Sequence, residues 1–160
     1  MILNIEKYPS KILFNPTKKV EVIDNGIKKL ISDMAETMQA NKGCGLAAPQ
    51  VGTGLRLAVV DDGGRILTLI NPEITKFSPE TEIIEEGCLS LPQVEVKVRR
   101  SSWVELKILD LEGKEINFKA EGILARIIQH EVDHLGGRLI LDRVNFFIRR
   151  RLIKKLIKDI

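Results

Sequence analysis

The chain has only two histidines, and both lie in one five-residue stretch, His130-Glu131-Val132-Asp133-His134. The flanking residues, from about Glu121 to Leu135 with Gly136 and Gly137 behind them, read as a helix that the glycines end. Residues four apart share a helix face, so both imidazoles can reach one ion. Glu131 projects roughly 100° away, close enough to meet a water beside the ion without taking a coordination position. An HExxH pattern of this kind suits metal-assisted hydrolysis, in which the ion lowers a water's pKa towards ~7 and the carboxylate takes its proton. Short patterns also arise by chance, and two ordinary helix histidines are the bland alternative. That no other histidine exists in the chain weighs against it.

Two histidines leave a third ligand to be found. No histidine follows His134, and the only acids beyond it are Asp142 and Asp159, with no glutamate. The third ligand is therefore expected upstream, and a cysteine thiolate is the best donor type on offer. Cys88, in a short loop-like stretch before Pro92, and Cys44, between two glycines, are both candidates; either could instead be a small buried hydrophobe.

The rest of the chain sets the scaffold. Asp24 is placed to cap a first helix, along which Ile27, Leu30, Ile31, Met34, Ala35 and Met38 recur at helical spacing before Gly43. Arg56–Val60 and Ile66–Ile70 flank Asp-Asp-Gly-Gly, a hairpin signal. Val94, Val96 and Val98 alternate with charged residues as a half-buried strand does. Val104–Leu111 and Glu115–Phe118 form a second hairpin about Glu112-Gly113-Lys114, and a third helix is expected over about Val144–Ile160. Helix, antiparallel strands and helix make an α+β pattern, with antiparallel sheets around a central HExxH-bearing helix and a further helix at each end. At 160 residues, without repeats or linkers, one catalytic domain over 1–160 is expected.

Composition narrows the setting. A formal net charge of +3 gives no case for DNA as a partner. No apolar run approaches the ~18 residues of a membrane span, and the first residues lack a secretory pattern. The expected location is cytoplasmic, with both cysteines reduced.

Three segments, taken together and in order, carry a family resemblance. Gly43-Cys44-Gly45-Leu46-Ala47-Ala48-Pro49-Gln50 resembles the GxGLAAxQ motif of the peptide deformylases. Glu86-Gly87-Cys88-Leu89-Ser90 resembles their EGCLS motif, and Gln129–Leu135 their QHExDHL motif. Ile70-Asn71-Pro72 also looks familial. The resemblance covers nearly the whole chain and implies removal of the formyl group from the N-terminal methionine of newly made proteins. It further implies Cys88, His130 and His134 as metal ligands and Glu131 as general base and later acid. The backbone N–H of Leu89 and the amide of Gln50 would donate to the developing oxyanion, and Gly45 would let the substrate backbone come close. The family's ion is usually Fe2+, with Zn2+, Ni2+ or Co2+ able to take the same site.

The implied substrate is an N-formylmethionyl peptide. Ile123 and Ile127, one turn apart and leading into His130, are candidate walls for its methionine side chain, although both could simply pack in the core. Beyond methionine the peptide is expected to lie extended beside Gly43, Cys44 and Gly45 or the stretch after Cys88. Two departures from the family pattern stand out: Cys44 replaces an aliphatic residue, and the turn at Asp61–Arg65 is short.

In the last helix, Arg150, Arg151, Lys154, Lys155 and Lys158 fall on one side. Phe147, Ile148, Leu152, Leu156 and Ile160 fall mainly on another. The bland reading is a packed helix with a solvated face; the sharper one is docking on ribosomal RNA near the exit tunnel. Other functions consistent with the motifs are an amidase with another N-acyl preference and a catalytically silent ribosome-binding relative. An HExxH metallopeptidase is disfavoured by the missing downstream ligand.

Overall fold

The computed structural model describes residues 1–158. Helix α1 (Asn25–Ala40) leads into β1 (Gly45–Ala47), β2 (Leu57–Asp62) and β3 (Arg65–Phe77). Then come β4 (Thr81–Cys88), β5 (Leu91–Ser101), β6 (Trp103–Leu109), β7 (Glu115–Glu121), α2 (Gly122–Leu135) and α3 (Phe146–Lys158). A five-stranded sheet has the order β1-β2-β3-β6-β7, and β4 pairs with β5 in a separate two-stranded sheet. Every pairing between these strands is antiparallel, so the α+β architecture is the one expected.

The centre of the fold is β2. Leu57, Ala58, Val59 and Val60 are all inaccessible to solvent. Because successive side chains point to opposite faces, Leu57 and Val59 join α1's Ile31, Met34 and Met38 on one side. Ala58 and Val60 join α2's Ala125, Ile128 and Leu135 on the other. Helix α1 starts where Asp24 accepts a hydrogen bond from Ile27 N at 2.9 Å. Helix α2 lies close to the sheet because the contacts include Ala47, Ala58, Ala120 and Ala125, which occupy little space. Deleting the fully buried Ile128 side chain here costs about 2–5 kcal/mol. At the β2–β3 turn Gly63 and Gly64 have φ of 63° and 93°, the left-handed pair that a two-residue hairpin requires.

Three expectations change. Cys88 is not in a loop: it is the last residue of β4, a strand missed because Thr81–Cys88 is charged and largely exposed, with little alternation to read. The third helix begins at Phe146, not Val144, because buried Leu139, Ile140 and Leu141 hold the preceding chain against β5 in a 3-10 turn, Ile140–Arg143. Its expected end, including Ile160, lies outside the described residues. Helix α3 packs through Leu152, Ile153 and Leu156, whereas Phe147 is 81% exposed and belongs to the outer face.

The N-terminal segment runs along the cleft as a strap, with Ile2 to Lys7 among its lining residues. Glu6 N donates to Gln50 O at 2.8 Å, Tyr8 N to Ser90 O at 2.9 Å and Thr17 N to Leu135 O at 3.0 Å. Asn71 anchors the following stretch, accepting from Val20 N and donating to Val20 O.

Candidate metal centre

Helix α2 presents His130 and His134 toward the end of β4, where the β4–β5 register shifts between Gly87 and Cys88. Such an irregularity turns a side chain away from the regular pleat. His134 Nε2 lies 3.1 Å from His130 Nε2 and 3.3 Å from Cys88 Sγ. The three donor atoms all lie within 4.8 Å of one another. Cys44 is exposed and stands outside this group. One thiol and two imidazoles converging on a point are the donor set of a tetrahedral divalent metal site, with room for a fourth ligand. Two buried polar atoms, Glu131 Oε2 and His134 Nδ1, have no protein partner. The residues fit the ion.

Behind His130 is a charged lattice that the sequence reading did not identify. Glu86 accepts from His130 Nδ1 at 2.9 Å, from Arg100 at 2.8 and 3.0 Å, and from Arg126 at 2.7 Å. Arg100 also reaches Asp133 at 2.6 Å, and Arg143 closes on the same carboxylate. Burial raises the Glu86 pKa, but the hydrogen bonds from His130 and Arg100 outweigh it and hold the carboxyl well below its ordinary range. An ionised Glu86 fixes the proton on Nδ1 of His130 and leaves Nε2 facing the other donors. One signal was available: Arg100 continues the inward alternation of Val94, Val96 and Val98, and a buried arginine requires carboxylates.

Glu131 is buried, and burial pushes its pKa up to about 7, against the pull of the His130 and Arg100 charges. Burial also lowers His130, yet hydrogen bonding to Cys88 and Glu86 and the Glu131 charge raise it to about 10. His134 is lowered well below its ordinary value, chiefly by burial. A cation among these donors competes with the His130 proton, so metal binding is coupled to proton release.

Gln50 sits in a 3-10 turn after β1 and is buried. Its Oε1 accepts from Ala47 N at 2.9 Å; its Nε2 lies 3.1 Å from Ser90 Oγ and 3.5 Å from Cys88 Sγ. A cleft of about 1190 Å³ opens in front, lined in part by Gly43, Cys44, Gly45, Gln50, Cys88, Leu89, Ile127, His130 and Glu131. Ile127 faces it. Ile123 does not: it lies in the first turn of α2, directly after β7, and is 63% exposed. Gly45 has a further reason to be glycine, since a Cβ there would meet Glu131 Oε1 at 2.2 Å.

An HExxH helix, a thiol from a β-hairpin and a buried carboxylate beside them define the class of mononuclear metal hydrolases. The profile of the family described as polypeptide deformylase matches residues 2–149. The peptide deformylase of Dictyoglomus thermophilum is 52% identical over 143 residues, covering 89% of this chain and 93% of that one. The crystal structure of the Thermotoga maritima peptide deformylase superposes with a TM-score of 0.89 at 42% identity, covering 91% of this chain and 99% of that chain. That of the Ehrlichia chaffeensis enzyme in complex with actinonin gives 0.93 at 40% identity, covering 99% and 97%. The chain belongs to the peptide deformylase family, metal-dependent hydrolases that remove the N-formyl group from nascent proteins. No helix among the described residues is long and apolar enough to cross a membrane.

Proposed function

We propose that Cys88, His130 and His134 hold one divalent ion, Fe2+ in the cell, and that Glu131 moves the protons of the hydrolysis of N-formylmethionyl peptides. The convergence of those three donors beside a buried carboxylate is the observation that carries this reading. The bound ion supplies Lewis-acid polarisation and lowers the pKa of a neighbouring water towards ~7. Glu131 takes the proton of the attacking water and later delivers it to the nitrogen of the departing methionyl amine. Nε2–H of Gln50 and the backbone N–H of Leu89 donate to the carbonyl oxygen as it gains negative charge. Gln50 suits this position because its amide brings no charge of its own. Glu86 keeps His130 in the tautomer whose Nε2 is free to bind.

The methionine side chain enters the cleft against Ile127, and the peptide continues extended beside Gly43–Gly45 or the stretch after Cys88. Zn2+, Ni2+ or Co2+ can replace Fe2+ in a thiolate and imidazole set. The whole chain acts as one catalytic domain in the cytoplasm, where formylated chains arise. The ribosome is the partner proposed for α3, whose Arg150, Arg151, Lys154 and Lys158 are exposed. Release of formate from formyl-Met-Ala-Ser under anaerobic conditions, with metal measured on the same sample, tests the site. Metal-loaded protein that releases no formate would overturn it.

A further inference from the structure

A primary amide serves as a hydrogen-bond donor only if its nitrogen, not its oxygen, is turned toward the acceptor. The two orientations of a glutamine differ by a half-turn and have almost the same shape. At Gln50 the surroundings decide. Ala47 N–H is a donor and faces Oε1 at 2.9 Å, so the oxygen is held on the main-chain side. Ser90 Oγ then meets Nε2 at 3.1 Å and takes one of its two hydrogens. The other is directed at Cys88 Sγ, 3.5 Å away, a residue that lines the cleft together with Gln50 itself.

Ser90 is fully buried and does not line the cleft, so it cannot touch a substrate. The strap joins the same two residues through the main chain: Glu6 N–H donates to Gln50 O, and Tyr8 N–H to Ser90 O. Gln50 and Ser90 are thus coupled twice, side chain to side chain and through one short segment of main chain. Ser90 also lies in the β4–β5 turn two residues beyond Cys88, so the proposed metal donor that ends β4 and the clamp on the amide are close together in the chain.

We infer that Ser90 is a positioning residue for the reaction, whose hydroxyl holds the Gln50 amide with Nε2 beside Cys88 at the cleft wall, within reach of a substrate carbonyl bound there. The inference rests on the proposed role of Gln50 as donor to the carbonyl oxygen. Without the Ser90 acceptor, the amide keeps its Ala47 contact and loses its aim. The loss falls on the transition state, where the oxygen is charged, and little on substrate binding.

The test is a double-mutant cycle on the metal-loaded enzyme, with Ser90→Ala, Gln50→Met and the pair, assayed on formyl-Met-Ala-Ser. Ser90→Ala is expected to lower kcat about tenfold with KM little changed. Gln50→Met should lower kcat about 100-fold, and adding Ser90→Ala to it should do nothing more. In side-chain NMR, the Gln50 amide hydrogens should exchange with solvent faster in Ser90→Ala than in wild type. An equal fall in kcat from Ser90→Ala in both backgrounds, or an unchanged kcat in the single variant, overturns the inference while leaving Gln50's role standing. Wild-type turnover by Gln50→Met overturns that role and the inference together. If Ser90→Ala does not fold, Ser90→Cys carries the same test, because a thiol fills the space but accepts weakly.

Discussion

Gly45 lies against the carboxylate of Glu131 so closely that an added Cβ would sit 2.2 Å from Oε1 and 2.8 Å from the carboxyl carbon. The glycine of the first motif therefore makes room for the base of the third, across a gap of 86 residues in sequence (131 − 45). A substrate passing the same glycine remains compatible with this packing, but it is no longer the only reason for the residue.

Gly45→Ala should consequently act on Glu131. The carboxylate has to move, so kcat is expected to fall roughly 100-fold or more, toward the two to four orders of magnitude expected for Glu131→Gln. Metal content should stay near wild type in both variants. Steady-state kinetics with metal analysis decides the matter: a rise in KM alone in Gly45→Ala would return the glycine to the substrate.

The two cysteines should separate cleanly. Cys88→Ala removes a donor from the group of three and should abolish metal affinity and turnover together. Cys44→Val should keep both, since Cys44 is exposed and outside that group. Metal-to-protein ratios after dialysis against a weak chelator provide the comparison. Equal metal loss in the two variants would refute the assignment.

Glu86→Gln tests the lattice behind His130. With one anchor of His130 weakened, metal affinity should drop about 10–100-fold. Stability should also fall at pH 7, by about 3–5 kcal/mol, because Arg126 loses its carboxylate in the interior and Arg100 keeps only Asp133. The sign with pH follows from the depressed folded pKa. Stabilisation by Glu86 is complete above its ordinary value of 4.5 and fades as pH falls toward the folded value. In urea unfolding of the metal-free proteins, the gap between wild type and variant should therefore narrow from pH 7 to pH 3. A gap of constant size would mean that Glu86 is not held ionised.

Helix α3 is the proposed contact with the ribosome. Reversing Arg151, Lys154 and Lys158 to Glu leaves Leu152, Ile153 and Leu156 in their packing, so the fold should persist. Arg149 pairs with Asp142 at 2.9 Å and is left unchanged in this variant. Turnover of a free formyl-Met tripeptide should be unchanged. Co-sedimentation with ribosomes should weaken, and wild-type binding should decline with salt as phosphate contacts require. Pelleting of the reversed variant equal to wild type would leave α3 as packing alone.

Much of this was legible in the chain. The spacing of His130, Glu131 and His134 placed two donors and a carboxylate on one helix, because helical geometry is a local property. Asp24 marked the start of α1, and the paired glycines marked the β2–β3 turn, for the same reason. The strand carrying Cys88 escaped notice because a mostly exposed strand has weak alternation and is defined by its partner, β5. Ile123 and Ile127 look alike by spacing, and only the way α2 lies on the sheet separates the exposed one from the one at the cleft.

By itself, then, the sequence determined the α+β class, the metal-binding helix and the identity of the three motifs, since each depends on neighbours within about one turn or one strand. The motifs already pointed to Cys88, and the tertiary structure brings it beside the histidines; tertiary structure alone decided that Gly45 accommodates Glu131 and that Glu86, Arg100 and Asp133 lock together. Those relationships join residues tens of positions apart. They arise when burial forces charged groups to find partners and when strand pairing and helix packing set which distant side chains meet.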